Sequence, residues 1–234
     1  MKGLANLKNP VQAKTSVHST NPSQAKTSVQ PKGLTHPSSR AGLLLVSLLL
    51  LTLVSCHPLR KKSTLADTSW SLVNQDQENV LFPDDYRGKL ILISYVYTYC
   101  PDICPMITYN MRDVQRAFPD EDRLMLLSVS FDPERDTPEI LKSYAASYKL
   151  NLDHWDLLTG DPRIVKSLLE RTEIRTLKTP TTFTDDGGEF YFIDHTDKIT
   201  LIDEEGFIRK NYSGSELELE NVIEDIKILL NDTK

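Results

Sequence analysis

The stretch KLILISYVYTYCPDIC, residues 89–104, decides the fold of this chain of 234 residues. Its first nine residues, 89–97, form an apolar run rich in β-branched and aromatic side chains, which is typical of a strand buried on both faces. A loop with two cysteines follows, and from Pro105 to about Phe118 the apolar residues recur at helical spacing. The stretch therefore predicts a buried strand, a loop and a helix in succession.

Two more strand–helix pairs are predicted further along the chain. The apolar runs 124–131 and 155–158 predict a second buried strand and a short third one. Each is followed by a polar residue and a proline, at Thr137 and at Asp161, which predicts a helix N-cap with proline at the first helical position. The chain therefore alternates strands and helices through its middle part.

The C-terminal part predicts a hairpin and a last helix. Two short apolar runs, 199–202 and 207–212, flank a polar turn that contains a glycine. Ser215 and Glu218 have the spacing of a capping box, and the helix they predict runs to about Leu230. The whole order predicts an α/β fold, a mixed sheet flanked by helices on both faces. Thioredoxin-like folds have this order, although the pattern alone leaves several other α/β folds open.

The charge of the chain is unevenly distributed. Residues 1–40 contain six Lys or Arg and no acidic residue, so the remainder has 21 basic and 33 acidic side chains, a net charge of −12. Nucleic-acid binding depends on clustered basic side chains that neutralise phosphates. The acidic body therefore argues against a nucleic-acid partner.

The first 67 residues predict a disordered segment, a signal or membrane anchor, and a tether. Residues 1–40 are rich in polar residues and proline and cannot bury enough apolar surface to fold, so we expect them to be disordered. An uncharged run over 41–55 is too short for a typical spanning helix and has the length of a signal-peptide core. A polar tether is expected over 57–67, followed by one folded domain over 68–234.

The apolar run ends in Leu-Val-Ser-Cys, with Cys56 as its last residue. This ending resembles the bacterial lipobox, in which the cysteine is lipidated and becomes the mature N-terminus, and segment 41–56 is therefore predicted to be a signal and lipoprotein anchor. An uncleaved signal anchor and, less favoured, a mitochondrial import sequence are the alternatives. A lipid or signal anchor would tie the body to a membrane outside the cytoplasm.

Cys100 and Cys104 stand where the first buried strand gives way to a helix. The positive end of a helix dipole favours thiolate over thiol, and two cysteines four apart can converge on one side of the junction. They can form a disulfide or present two sulfurs to a soft ion such as Cu(I). A zinc site would need more ligands than the cysteines of this chain supply. Two thiolates and one imidazole would suit three-coordinate Cu(I).

Several motifs together resemble the Sco/SenC proteins, copper chaperones of cytochrome c oxidase assembly. The resemblance covers roughly residues 68–230. Its segments are, in order, Trp70–Asp76 with Tyr86–Leu90, Tyr95–Pro105, Ser128–Pro138, and Ile193–Thr196 followed by Leu201–Gly206. Tyr97 and Tyr99 make the cysteine loop more aromatic than the family pattern. This departure removes no ligand and bears on partner specificity.

The resemblance implies a thioredoxin-like domain with a C-terminal hairpin and helix, and copper ligands at Cys100, Cys104 and His195. Copper would be held as Cu(I) or Cu(II). The other four histidines are not predicted as ligands. Asp132 is expected to have a structural or partner-facing role. Together with Glu134, Arg135 and Asp136 it is interpreted as a solvated, capped start of a helix rather than a catalytic dyad.

Two functions follow from this resemblance. The first is an extracytoplasmic metallochaperone, not an enzyme, that passes Cu(I) to the dinuclear copper centre of an oxidase subunit. The second is a thiol–disulfide reductase in which Cys100 and Cys104 keep that subunit's cysteines reduced, with a thioredoxin-like protein as reductant. His195 separates the two, because thiol exchange needs only the sulfurs.

Overall fold

The computed structural model describes residues 59–183 and 189–232. The segments predicted as disordered (1–40) and as an anchor (41–56, with Cys56) lie outside the described residues. Among the helices of the described ranges, none is both long and apolar enough to cross a membrane.

From residue 90 to residue 171 the described residues alternate strands and helices in the order that the sequence predicts, whereas the first two strands, β1 and β2, were not predicted. The strands are β1 (Trp70–Asn74), β2 (Asn79–Phe82), β3 (Leu90–Val96), β4 (Leu124–Ser130), β5 (Trp155–Thr159), β6 (Thr176–Lys178), β7 (Thr182–Phe183), β8 (Glu189–Phe190), β9 (Ile193–His195), β10 (Ile199–Ile202) and β11 (Ile208–Tyr212). The helices are α1 (Ile103–Ala117), α2 (Pro138–Tyr148), α3 (Pro162–Arg171) and α4 (Leu219–Asp232), and a short 3-10 turn lies at Asp84–Tyr86.

Seven strands form one mixed sheet in the order β11-β10-β3-β4-β5-β1-β2. The centre is parallel: β3 pairs with β4 from Leu90↔Leu124 onward, and β4 pairs with β5. The pairs outside this centre are antiparallel. On one side β10 pairs with β3 and β11, and on the other β1 pairs with β5 and β2. Every residue of β3 is buried, as a strand covered on both faces requires. The predicted mixed sheet flanked by helices, with its C-terminal hairpin and helix, is confirmed.

The helices between the parallel strands begin where the sequence predicts. Thr137 caps α2 by accepting a hydrogen bond from the Ile140 N–H, and Asp161 caps α3 by accepting one from the Arg163 N–H. Helix α1 packs against β3 and α4, while α2 packs against β5 and α3 against β1. The carboxyl ends of β3 and β4 therefore open onto one edge of the sheet, beside the start of α1.

The last helix differs from its prediction. The capping box at Ser215 is wrong, since α4 begins only at Leu219. The Ser215 hydroxyl and N–H instead donate to the Asp197 carboxylate at 2.6 and 2.9 Å. Because the Ser215 side chain bonds to Asp197, 18 residues away, it does not cap α4.

Residues 59–67 also differ from the expected polar tether. The side chains of Leu59 and Leu65 are fully buried in the core of the domain. The Leu65 N–H donates to the Gly206 carbonyl at 2.8 Å, and Thr64 forms a β-bridge with Phe207. This part of the chain lies along the β10–β11 hairpin, so the folded body begins earlier than residue 68.

The described residues 176–183 and 189–195 form a β-arm that is separate from the main sheet, and the sequence patterns do not predict its strands. β6 pairs with β9 in one small antiparallel sheet, and β7 pairs with β8 in another. All three residues of β6 are exposed, so no buried apolar run marks this strand. The arm ends in His195 and thereby brings this residue back to the cysteine loop.

Candidate metal centre

The cysteine loop joins β3 to α1. Helix α1 begins at Ile103, two residues before the predicted start at Pro105, so Cys104 lies in its first turn. Cys104 is buried, whereas Cys100 is partly exposed in the loop before the helix. The Cys104 N–H donates to the Cys100 sulfur at 3.4 Å. A free helix N–H thus points at one sulfur, which favours its thiolate form.

His195 reaches the same point from the end of β9. Its Nε2 lies 3.6 Å from the Cys104 sulfur, and its Nδ1 lies 3.0 Å from the Thr196 carbonyl oxygen. A proton on Nδ1 donated to that carbonyl leaves the Nε2 lone pair directed toward the sulfurs. The structure therefore brings together the three residues that the sequence predicts as a site.

The spacing of the donor atoms suits a single metal ion. The two sulfurs and an imidazole nitrogen all lie within 4.8 Å of one another. A metal bonded in a trigonal plane to sulfur at about 2.3 Å and to nitrogen at about 2.0 Å holds these donors roughly 3.7 Å apart. The observed separation of 3.6 Å between the Cys104 sulfur and His195 Nε2 matches this geometry.

The two thiols have opposite protonation tendencies. A hydrogen bond from the Cys104 thiol lowers the pKa of Cys100 from its ordinary value of 9.0 to about 3. The same bond, together with burial, raises the pKa of Cys104. Burial alone would lower the pKa of His195, but the neighbouring Cys100 sulfur and the Thr196 carbonyl outweigh it and raise this pKa. The pair thus holds one thiolate and one thiol near neutral pH.

The site opens into a pocket of about 380 Å³ between the cysteine loop and the β-arm. On one side it is lined by Tyr97, Cys100 and Asp102, and on the other by Phe192 and His195. Cys100 faces this space, and the exposed Phe192 is part of its lining. A ligand exchanging with a metal here would reach it from the Cys100 side.

Asp136 supports the cysteine loop, a role that the sequence analysis missed. The structure corrects the expected solvated helix start, because the side chains of Asp132 and Asp136 are buried. The Asp136 carboxylate accepts hydrogen bonds from the N–H of Thr98 at 3.1 Å and from its hydroxyl at 2.6 Å. The Ser130 hydroxyl donates to the same carboxylate at 2.6 Å. The end of β4 is thereby joined to the loop two residues before Cys100.

Asp132 performs a similar task for the β-arm. It accepts a hydrogen bond from the Tyr191 hydroxyl at 2.9 Å and forms an ion pair with Arg135. The Arg135 guanidinium lies over the Tyr191 ring at 3.6 Å and donates to the Tyr191 carbonyl at 3.2 Å. These contacts hold the arm four residues before His195.

One further predicted residue is not described by the structure, and one excluded histidine lies elsewhere in the fold. Cys56, predicted to carry lipid, lies outside the described residues. His154, which was not predicted as a ligand, is 3.7 Å from the Asp122 carboxylate, at the start of β5.

Comparison with known proteins identifies the family. A family model described as SCO1/SenC matches residues 60–231, which is most of the chain. The chain belongs to the SCO1/SenC family. The Sco homologues include the SCO1 protein homolog of Bacillus subtilis, which is 33% identical over 156 residues, covering 66% of this chain and 77% of that protein.

Solved structures of Sco proteins share the fold. ScoI of Bradyrhizobium japonicum, determined with copper bound, is 31% identical and superposes with a TM-score of 0.59, covering 69% of this chain and 98% of that one. BsSco, described as having a disulfide switch and as a member of the Sco family of cytochrome c oxidase assembly proteins, is 28% identical with a TM-score of 0.56. That match covers 72% of this chain and 96% of BsSco.

Proposed function

We propose that this Sco protein is a copper metallochaperone that holds Cu(I) between Cys100, Cys104 and His195. One observation carries the proposal: two sulfurs and an imidazole nitrogen, contributed by two separate parts of the chain, converge within 4.8 Å. The copper-bound structure of Bradyrhizobium japonicum ScoI, a relative with the same fold, supports copper as the metal.

The donor set favours copper over zinc. Thiolate ligands select soft ions such as Cu(I), and structural zinc sites are almost always four-coordinate. Within the described residues, the cluster around the two sulfurs contains only these two cysteines and His195. Three donors at trigonal spacing satisfy Cu(I), and the imidazole adds a borderline ligand that tolerates Cu(II) as well.

The open side of the site supports transfer rather than storage. Cys104 is buried, but Cys100 is partly exposed and faces the pocket. An incoming ligand can therefore approach the metal on the Cys100 side while Cys104 and His195 still hold it. The recipient that we propose is the subunit of cytochrome c oxidase that carries the dinuclear copper centre, since the relative BsSco belongs to oxidase assembly proteins.

We place this activity outside the cytoplasm, on a membrane. The support is the uncharged run over 41–55 and the lipobox-like ending at Cys56. Two acyl chains give stable attachment to a bilayer, so Cys56→Ser should release the protein from the membrane fraction or leave it misprocessed. Mass spectrometry of the mature chain that finds an unmodified Cys56 and an intact run would favour an uncleaved anchor instead.

A thiol–disulfide reductase is the second candidate, and the pKa values of the cysteines favour it. Exchange starts from an accessible thiolate, and Cys100 combines partial exposure with a pKa lowered to about 3. Cys104, in the first turn of α1, is placed to resolve a mixed disulfide. The disulfide switch of BsSco supports such chemistry in the family. A thioredoxin-like protein would then supply the electrons.

The two functions separate at His195. We expect His195→Ala to weaken copper retention against a competing chelator and to impair oxidase maturation, while Cys100 and Cys104 still form and break their disulfide. His154→Ala is the matched control, because this imidazole lies beside Asp122 and away from the sulfurs. Normal oxidase maturation with His195→Ala, alongside failure of Cys100→Ser and Cys104→Ser, would reject the chaperone and leave the reductase.

A further inference from the structure

Tyr97 connects the two segments that carry the three proposed ligands. It directly follows β3, and its side chain is buried. Its carbonyl oxygen accepts a hydrogen bond from the Cys100 N–H at 3.3 Å. Its hydroxyl oxygen accepts another from the N–H of Ile193 at 3.2 Å. One residue is thus bonded to the cysteine loop and to the strand that ends in His195.

The strand β9 depends on this bond more than a strand of the main sheet would. It is three residues long, and its paired strand is β6, which is equally short and exposed. Neither belongs to the seven-stranded sheet. The Ile193 N–H is buried and bonded to a side chain. The Tyr97 hydroxyl therefore links β9 directly to the end of β3.

The role of the Tyr97 hydroxyl can be tested separately from that of its ring, because the ring has its own aromatic contacts around the imidazole. The Tyr97 ring lies 5.1 Å from Phe131, which in turn lies 4.6 Å from the His195 ring. Tyr97 also meets the His195 ring edge-on at 6.4 Å. A phenylalanine at position 97 would preserve these ring contacts and remove only the hydrogen bond to Ile193.

We propose that the Tyr97 hydroxyl is a positioning group that holds β9 so that His195 Nε2 stays within reach of the sulfurs. This inference rests on the proposed copper function. It assigns a role to one of the two tyrosines by which the cysteine loop departs from the family pattern. Without the hydroxyl, the two cysteines keep their places and the imidazole is held less closely.

The test measures Cu(I) release from the full-length protein, purified anaerobically in detergent, to bathocuproine disulfonate. We expect Tyr97→Phe to release copper about two- to tenfold faster than the natural chain, the range that the loss of one hydrogen bond produces. In a His195→Ala background, Tyr97→Phe should cause no further increase, because the residue acts through the imidazole. Tyr86→Phe is the control, since it removes a buried hydroxyl that donates to Asp156 at 2.7 Å, away from the site.

Hydrogen exchange of the Ile193 amide provides a readout without copper. In the natural chain this amide should be protected, and Tyr97→Phe should abolish the protection while leaving the amides of β3 and β4 unchanged. Unchanged copper release in Tyr97→Phe, or an equal increase with and without His195, would overturn the proposal. An unprotected Ile193 amide in the natural chain would overturn it even if the variant fails to fold. A natural chain that binds no copper would reject the proposed function instead, and the exchange experiment would then decide whether Tyr97 holds β9.

Discussion

The carboxylate of Asp136 accepts hydrogen bonds from both the backbone N–H and the hydroxyl of Thr98, and so joins the start of α2 to the cysteine loop. The side chain is fully buried, and burial raises its pKa, although the bonds from Ser130 and Thr98 oppose this effect. Of the donors around this carboxylate, the Ser130 hydroxyl is fully buried and Thr98 is half-buried.

Removal of this carboxylate should destabilise the domain and loosen the loop. Asp136→Ala leaves the buried Ser130 hydroxyl and two donors of the half-buried Thr98 without their acceptor, and we expect the free energy of unfolding to fall by roughly 3 kcal/mol. Asp136→Asn keeps one acceptor oxygen and should lose less. Urea denaturation of the copper-free protein measures both values. An Asp136→Ala variant as stable as the natural chain would contradict this role for the carboxylate.

The thiolate of Cys100 should be visible in acid titration. We expect a Cys56→Ser chain to contain one thiolate at pH 6, measured by absorbance at 240 nm, which disappears only as the pH falls toward about 3. Cys100→Ser should contain none at pH 6. In Cys104→Ala, which has no side-chain donor, the pKa of Cys100 should rise toward its ordinary value, because the hydrogen bond that lowers it most is gone.

The lowered pKa of Cys100 also predicts how the stability of the domain depends on pH. The pKa of Cys100 is lower in the folded chain than in the unfolded one, so its stabilising contribution is complete above pH 9.0 and is lost as the pH falls toward about 3. Cys100→Ser should flatten this part of the stability curve. Between pH 3 and 7, an absorbance at 240 nm no higher than that of Cys100→Ser would show that the pair holds both protons.

Gly214 should tolerate no side chain, because it lies in a narrow gap between α1 and Asp197. A Cβ there would meet the Asp197 carboxylate at 2.5 Å and the Ile107 side chain at 2.9 Å. We expect Gly214→Ala to lower the thermal midpoint by an amount that corresponds to about 1–3 kcal/mol. Gly160→Ala is the control, since its Cβ would meet Leu72 at an ordinary 3.4 Å. Equal midpoints for the two variants would contradict the steric argument.

Leu65 should contribute to stability as a core residue. Leu65→Ala removes a fully buried side chain, and we expect a loss of about 2–5 kcal/mol in the free energy of unfolding. Leu177→Ala truncates a leucine that is 69% exposed and should change stability little. Chemical denaturation compares the two. A negligible effect at Leu65 would indicate that residues 59–67 behave as the tether that composition predicts.

The parts of the fold that the sequence predicts are those fixed by local chemistry. The apolar runs of β3 and β4 reveal buried strands, and Thr137 and Asp161 cap helices within two or three residues of themselves. The start of α4 was missed, because the side chain of Ser215 bonds to Asp197 rather than to the helix that follows.

The supports of the site were missed for a similar reason. Thr98 and Asp136 are 38 residues apart, and nothing in either segment indicates that they meet. The strands of the β-arm are two or three residues long, which is too short for periodicity to identify them. His195 came from resemblance to a family, since a single histidine carries no pattern of its own.

The Cys104 sulfur and the His195 Nε2 lie 3.6 Å apart, although the two residues are 91 positions apart in the sequence. An extended chain offers two thiols four residues apart and a remote imidazole, and closing that loop costs entropy that only the finished sheet offsets. The third donor therefore joins the two thiols only in the folded domain. An unfolded chain would hold copper through its two thiols alone and would lose it more easily to a competing thiol.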